Sequence, residues 1–275
     1  MNNLVLVDTS YTSFYRFFAT LRWLSLAEPE LYKQYKDDPT YEWLDNEKFI
    51  EKYKKMYLES IIKLLTKKIY NNSEIIFCMD TQQDKIWRND ISCKYKSDRI
   101  DLSKKNNFKP VFKYTYSSLI PDIIKNNKNI SSIKIDELEA DDIIAIITKY
   151  YQKKNPNKQI YLISGDQDFL QLGKKNLFFL NYKNKKKISL TEKQAQMELH
   201  KKLLLGDKSD CITTVFPPRF KLKIKKQLLD SIEDFLEYIK SNKEIEEKYN
   251  HNKKLIDFNY IPTKYHELVT NKLNI

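Results

Sequence analysis

The 275-residue sequence predicts an α/β fold built on a parallel sheet and continued by a helical C-terminal part. Three observations carry this. Short apolar runs alternate with helical patterns up to about residue 190. No strand pattern follows that point. Three of the runs end at or just before an aspartate: Leu4 to Val7 at Asp8, Ile75 to Met79 at Asp80, and Ile160 to Ile163 ahead of Ser164-Gly165-Asp166. The carboxyl ends of parallel strands open onto one crevice, where ligands bind. Carboxylates gathered there raise each other's pKa unless a cation compensates. Hard divalent ions such as Mg²⁺ or Mn²⁺ prefer such oxygen ligands, so the pattern points to a metal site.

The elements follow in order. A strand over 3–8 leads into a helix over about 12–24, then a polar loop with Pro29 and Pro39. A long helix is expected over about 46–70 with Asp45 as its N-cap. The second strand is 74–80. Residues 81–116 are mixed, basic and aromatic, and a short helix is expected around Pro121. A strand over 133–135 precedes an apolar-faced helix over 137–151. Strands over 159–164 and 177–180 come next, and a helix over 191–205 runs into Gly206. The expected division is a catalytic core over 1–190 and a helical region over 191–275. No Pro/Gly-rich linker marks the boundary.

Composition narrows the function classes. A hydrophobic share of 41% indicates a globular chain rather than a disordered one. No stretch approaches the roughly 18 apolar residues of a membrane span. The opening run, Leu4 to Val7, is too short for a signal peptide, so a cytoplasm-like compartment is expected. Cys78, Cys93 and Cys211 form no CxxC pair, which argues against a zinc ribbon or a disulfide framework. The three histidines lie far from the strand-end aspartates in sequence.

Three further acidic clusters accompany Asp8 and Asp80: Glu139 with Asp141 and Asp142, Asp166 with Asp168, and Asp207 with Asp210. Asp166 and Asp168, two apart, share one side of an extended chain. Asp207 and Asp210 are brought together by a turn or helix start. Glu139 and Asp142 share a helix face at i,i+3. Asp141 joins them only if Glu139 is the cap and the first turn is tilted. Any one of these clusters is equally a set of acids complementing a helix dipole; the recurrence at strand ends makes the set specific.

The segments LVDTS, IIFCMD, LEADDIIAI, ISGDQDF and LLLGDKSD occur in the order and spacing of the 5′-nuclease superfamily that includes the flap endonucleases. IWRNDISCKYKSDR and LIDFNYIP are similar as well, within the branch of the T-even phage ribonucleases H. The resemblance covers roughly residues 3–262. It implies a PIN-like nuclease core with a helical arch at about 84–116. The implied activity is metal-dependent phosphodiester hydrolysis near 5′ ends. Two divalent cations, Mg²⁺ with Mn²⁺ possible, are implied on Asp8, Asp80, Glu139, Asp141, Asp142, Asp166, Asp168, Asp207 and Asp210. Phosphodiester cleavage needs an activated water and stabilised negative charge, which two such ions supply. Setting those nine acids aside leaves 28 against 49 basic residues, a surplus of 21. Cation binding is therefore expected to precede binding of a polyanion.

Tyr95-Lys96-Ser97-Asp98-Arg99 resembles the family's YKxxR element. The resemblance assigns Lys96 and Arg99 to the scissile phosphate, Lys96 as a point charge and Arg99 in bidentate fashion. Tyr95 is expected to stack on a terminal base. Lys104, Lys105, Lys109 and Lys113, interleaved with aromatics, are expected to line the arch. Arg88 matches a basic position of the family, with phosphate or structural role open. After GDKSD the family's glycine-rich hairpin is replaced by Cys211 to Pro218, which puts cation-assisted duplex binding in doubt. Arg219, Lys221 and Lys223 follow as a duplex-phosphate strip. The expected partners are DNA or an RNA–DNA hybrid with a 5′ end or flap. A monomer is expected, and no segment reads as a docking site for a sliding clamp or single-strand-binding protein. Two alternatives compete. A toxin-type ribonuclease with the same core is typically much shorter and lacks the arch. A non-catalytic junction-binding protein is expected to have lost some carboxylates, and none is replaced here.

Overall fold

The computed structural model describes residues 3–97 and 107–275. Strand β1 (Asn3–Asp8) leads into α1 (Thr9–Ala27), α2 (Pro29–Tyr35), α3 (Glu47–Leu65) and α4 (Lys67–Asn71), then β2 (Ser73–Met79). Helix α5 (Lys109–Tyr114) continues through a π-turn (Thr115–Leu119) into α6 (Ile120–Lys125). β3 (Ile130–Lys134), α7 (Ala140–Lys154), β4 (Gln159–Ile163) and β5 (Leu177–Leu180) complete the α/β part. The remaining helices are α8 (Glu192–Leu205), α9 (Leu222–Asp230), α10 (Ile232–Ile239), α11 (Lys243–Ile256) and α12 (Thr263–Leu273).

The five strands form one all-parallel sheet in the order β3-β2-β1-β4-β5. The order reverses at β1 and β4, so the switch point lies beside Asp8 and the end of β4. Both faces are covered, which explains the near-continuous apolar strands. On one face Leu4, Leu6, Ile76 and Leu162 pack against Ile143, Ile144 and Ile147 of α7 and Val269 of α12. On the other, Val5, Val7, Phe77 and Ile163 meet Phe17 and Leu21 of α1 and Phe49, Tyr53, Tyr57 and Ile61 of α3. A third cluster joins Leu203, Leu204, Phe235, Tyr249 and Leu255 of the C-terminal helices to Ile86 and Tyr95.

Several local expectations are corrected. The N-cap of α3 is Asn46, whose side chain accepts from the Phe49 N–H at 2.8 Å, and not Asp45, which closes a preceding 3-10 turn. The long helix breaks at Thr66, whose φ of 74° is a conformation that β-branched residues rarely adopt. The apolar pattern runs on across that break, so periodicity alone misses it. The short helix around Pro121 is the last limb of a longer one beginning at Lys109. Of the residues expected in the arch, Arg99, Lys104 and Lys105 lie outside the described residues.

Candidate active site

Asp8 ends β1 and caps α1. Its Oδ1 accepts from the Tyr11 N–H at 3.0 Å, and its Oδ2 from the Ser164 hydroxyl at 2.7 Å. Asp80 follows β2; its Oδ1 accepts from the Ala140 N–H at 2.8 Å and its Oδ2 from the Ser10 hydroxyl at 2.5 Å. Both carboxylates are thus held by the first turn of a neighbouring helix. Asp166 follows β4 across Gly165. A Cβ at Gly165 would stand 2.5 Å from the Tyr11 ring, so that close approach requires glycine.

Glu139 is the N-cap of α7, with extended backbone (ψ 159°), and forms a capping box with Asp142. This geometry settles the helical phase. Asp141 turns toward the strand ends and lines a crevice of about 300 Å³ with Asp8, Asp80, Glu139, Asp166 and Lys96. Asp142 turns inward and is fully buried. Its two oxygens take the Arg88 guanidinium at 2.7 and 2.9 Å, and Trp87 Nε1 donates to it at 2.9 Å. The expectation that Asp142 belongs to the cation-holding set is therefore corrected: its lone pairs are spent on holding the start of α7. The same contacts correct the Arg88 reading. That side chain is 3% exposed and also donates to the Leu255 carbonyl at 2.8 Å, so it has no path to a phosphate. Tyr95 is also corrected. Its ring lies in the third core cluster and its hydroxyl donates to Glu139 at 3.0 Å, so it offers no face to a base.

Asp168, Asp207 and Asp210 form a second group beside the first. One oxygen from each lies within 4.8 Å of the others. Asp207 follows Gly206, whose φ of 72° and contact with the Ile212 and Thr213 carbonyls exclude a side chain. Asp207 and Ile212 exchange backbone hydrogen bonds of 2.9 and 2.8 Å, closing a tight loop without further glycines. The two groups meet at Asp166, whose Oδ1 accepts from the Asp168 N–H at 2.8 Å.

Charge crowding is visible in the protonation balance. Burial, then Asp80, pushes Asp8 up to about 7. Burial raises Asp80 as well, and burial with Asp166 and Asp8 raises Asp141 well above the usual carboxylate range. Asp166 is raised mainly by desolvation against the crevice wall. Asp207 goes the other way: burial pushes it up, but the Lys202 ammonium and the Ser209 hydroxyl bring it down to about 2. Five carboxylates gathered in one crevice, with Asp8, Asp80, Asp141 and Asp166 raised by burial, are a donor set that fits hard divalent cations.

Two lysines supply positive charge. Lys96 is 5% exposed; its ammonium pairs with Glu139 and stands 3.9 Å from Asp210. Its backbone has a φ of 57° and is held by its N–H on the Asp210 carbonyl at 3.1 Å. Lys202 of α8, which the sequence reading did not single out, pairs with Asp168 and with Asp207 at 2.7 Å. Its signal is its place, five residues before Asp207 on a helix ending at Gly206. Ser10 and Ser164 were also missed, although both stand inside the motifs that carry Asp8 and Asp166. Lys109, Lys113, Arg219, Lys221 and Lys223 are exposed, away from the crevice lining.

Residues 3–200 match the family described as 5′-3′ exonuclease, N-terminal resolvase-like domain. The chain is 26% identical to the ribonuclease H of Enterobacteria phage T4 over 217 residues, covering 74% of this chain and 70% of that protein. It is 31% identical to a 5′-3′ exonuclease of Mycoplasmopsis pulmonis over 162 residues, 56% of this chain and half of that protein's length. Among solved structures, the phage T5 5′-exonuclease with bound zinc superposes with a TM-score of 0.63 at 16% identity, covering 98% of this chain and 97% of that one. A T5 flap endonuclease in complex with DNA and metal ions gives a TM-score of 0.60 at 16% identity, with the same coverage. The family match spans the whole sheet and every carboxylate of the crevice, and on that ground this chain belongs to the 5′-3′ exonuclease family.

Proposed function

We propose that the protein hydrolyses phosphodiester bonds at or near the 5′ ends of branched DNA or RNA–DNA hybrids, using two divalent cations, Mg²⁺ foremost. The observation that carries this is the convergence of Asp8, Asp80, Glu139, Asp141 and Asp166 on one crevice at the switch point of the sheet, with Asp168, Asp207 and Asp210 beside them. Bound divalent cations would supply an activated water and charge stabilisation at the phosphate. The chain's own groups do the rest. Asp8, Asp80, Glu139, Asp141 and Asp166 hold the first group of charges, and Asp168, Asp207 and Asp210 the second. Lys96 balances Glu139 and Asp210, and becomes free to meet a phosphate oxygen once their charge is taken up. Arg99 is assigned to the same phosphate. The exposed strip Arg219, Lys221 and Lys223, in the 191–275 region, holds duplex phosphates, and Lys109 and Lys113 the single strand. The T4 relative's name, ribonuclease H, and the DNA complex of the T5 protein support hybrid and flap substrates.

The test is cleavage of a chimeric RNA–DNA 5′-flap oligonucleotide with and without Mg²⁺. The expected result is product only with the cation, and none from Asp166→Ala, which still binds the substrate. Wild-type turnover from Asp166→Ala, or cleavage in chelator, refutes the two-cation reading.

A further inference from the structure

The helix Lys109–Lys125 returns from the basic segment to the sheet, and it is not regular. Its middle, Thr115–Leu119, is a π-turn. Such turns mark places where a helix is wound to present one side chain, often at functional sites. Here the presented side chain is Tyr116. Its hydroxyl lies 2.8 Å from Ser10 Oγ, and Ser10 Oγ donates to Asp80 Oδ2 at 2.5 Å. Since the serine's one proton goes to Asp80, the phenol must donate to the serine. The chain of donors is therefore polarised in one direction, from the return helix to a carboxylate of the crevice. Thr115, next to it, anchors the same turn to α3 through Tyr53, hydroxyl to hydroxyl at 2.7 Å. The π-turn is thus pinned on both sides. Asp80's other oxygen is fixed by the Ala140 N–H, so Tyr116 and Ser10 decide the orientation of the remaining one.

We infer that Tyr116 is a positioning residue, which acts through Ser10 to aim Asp80 at a divalent cation and so ties the return helix to cation binding. The inference rests on the reading of the crevice as a divalent-cation site. Groups that hydrogen-bond a ligating carboxylate commonly change cation affinity by about 10–100-fold when removed. Coupling is reciprocal: if the helix positions Asp80, a cation on Asp80 steadies the helix.

The test uses the full chain without nucleic acid. Mg²⁺ or Mn²⁺ affinity is measured by calorimetry for wild type, Tyr116→Phe, Ser10→Ala and the double variant. Amide hydrogen exchange across 109–125 is followed with and without the cation. Tyr116→Phe keeps the ring and loses only the hydroxyl, and cation-free melting checks that it is folded. The expected result is affinity about tenfold weaker in each single variant, and no further loss in the double, because both cut one chain of donors. Mg²⁺ should slow exchange of 109–125 in wild type and do so less in Tyr116→Phe, a response that loss of packing alone would not give. A Tyr116→Phe protein that binds the cation as tightly as wild type overturns the inference while leaving the crevice reading intact. Additive losses overturn the path through Ser10. A folded wild type that binds no divalent cation removes both readings together.

Discussion

At the scale of single residues, the crevice is a charge problem solved twice. Lys96 and Lys202 each neutralise a pair of carboxylates, while burial raises the pKa values of Asp8, Asp80, Asp141 and Asp166. Lys96→Ala is expected to slow single-turnover cleavage at least tenfold while changing substrate affinity less; an unchanged single-turnover rate removes Lys96 from the chemistry. Asp8 gives a pH signature. Its folded pKa of about 7 stands above the ordinary 3.8, so the protonated form is the one folding favours. Its stabilising share is complete below about 3.8 and is lost as pH rises through about 7. Melting temperature in chelator should therefore fall between pH 5 and 8, and Mg²⁺ should reduce that fall by occupying the ionised carboxylates. A chelated protein as stable at pH 8 as at pH 5 contradicts the crowding. The carboxylates themselves were legible in the sequence, because strand ends in a parallel sheet face one edge. Lys202 was not, since its place before Asp207 hints at that contact alone, and its reach across to Asp168 depends on the packing of α8.

At the scale of elements, the start of α7 sorts its three acids. Sequence spacing pairs Glu139 with Asp142 on one helix face, and that pairing is real, but it serves the helix rather than the crevice. Because Glu139 is the cap, with extended backbone, Asp141 faces the strand ends and Asp142 faces Arg88. Arg88 in turn binds the Leu255 carbonyl, so one buried guanidinium ties the loop after β2, the start of α7 and the end of α11 together. Arg88→Leu would leave Asp142 buried without its charge partner, and removing one partner of a buried pair costs about 3–5 kcal/mol. Urea denaturation should show a loss of that order. A loss under about 1 kcal/mol would mean that the pair is not what holds α7. The motif left Arg88 open between a phosphate contact and a structural role, since sequence shows charge but not burial.

At the scale of the whole molecule, the layers put the five crevice acids and the three beside them on one edge, and Arg219, Lys221 and Lys223 stay exposed outside it. A polyanion bound on such cations releases counterions, so affinity for a flap substrate should fall steeply with salt. Replacing Arg219, Lys221 and Lys223 together with alanine should flatten the log–log salt slope by about 2–3; an unchanged slope would mean that these charges face no phosphate. By itself the sequence determined the parallel sheet, the gathering of strand-end carboxylates and the family, because periodicity and turn chemistry are local and motif order is linear. The tertiary structure alone decided which acids face the crevice, which cations are buried in its support, and that Tyr116 reaches Asp80 through Ser10. Those are matters of helical phase and of contacts between elements distant in sequence, and both are fixed only when the layers pack.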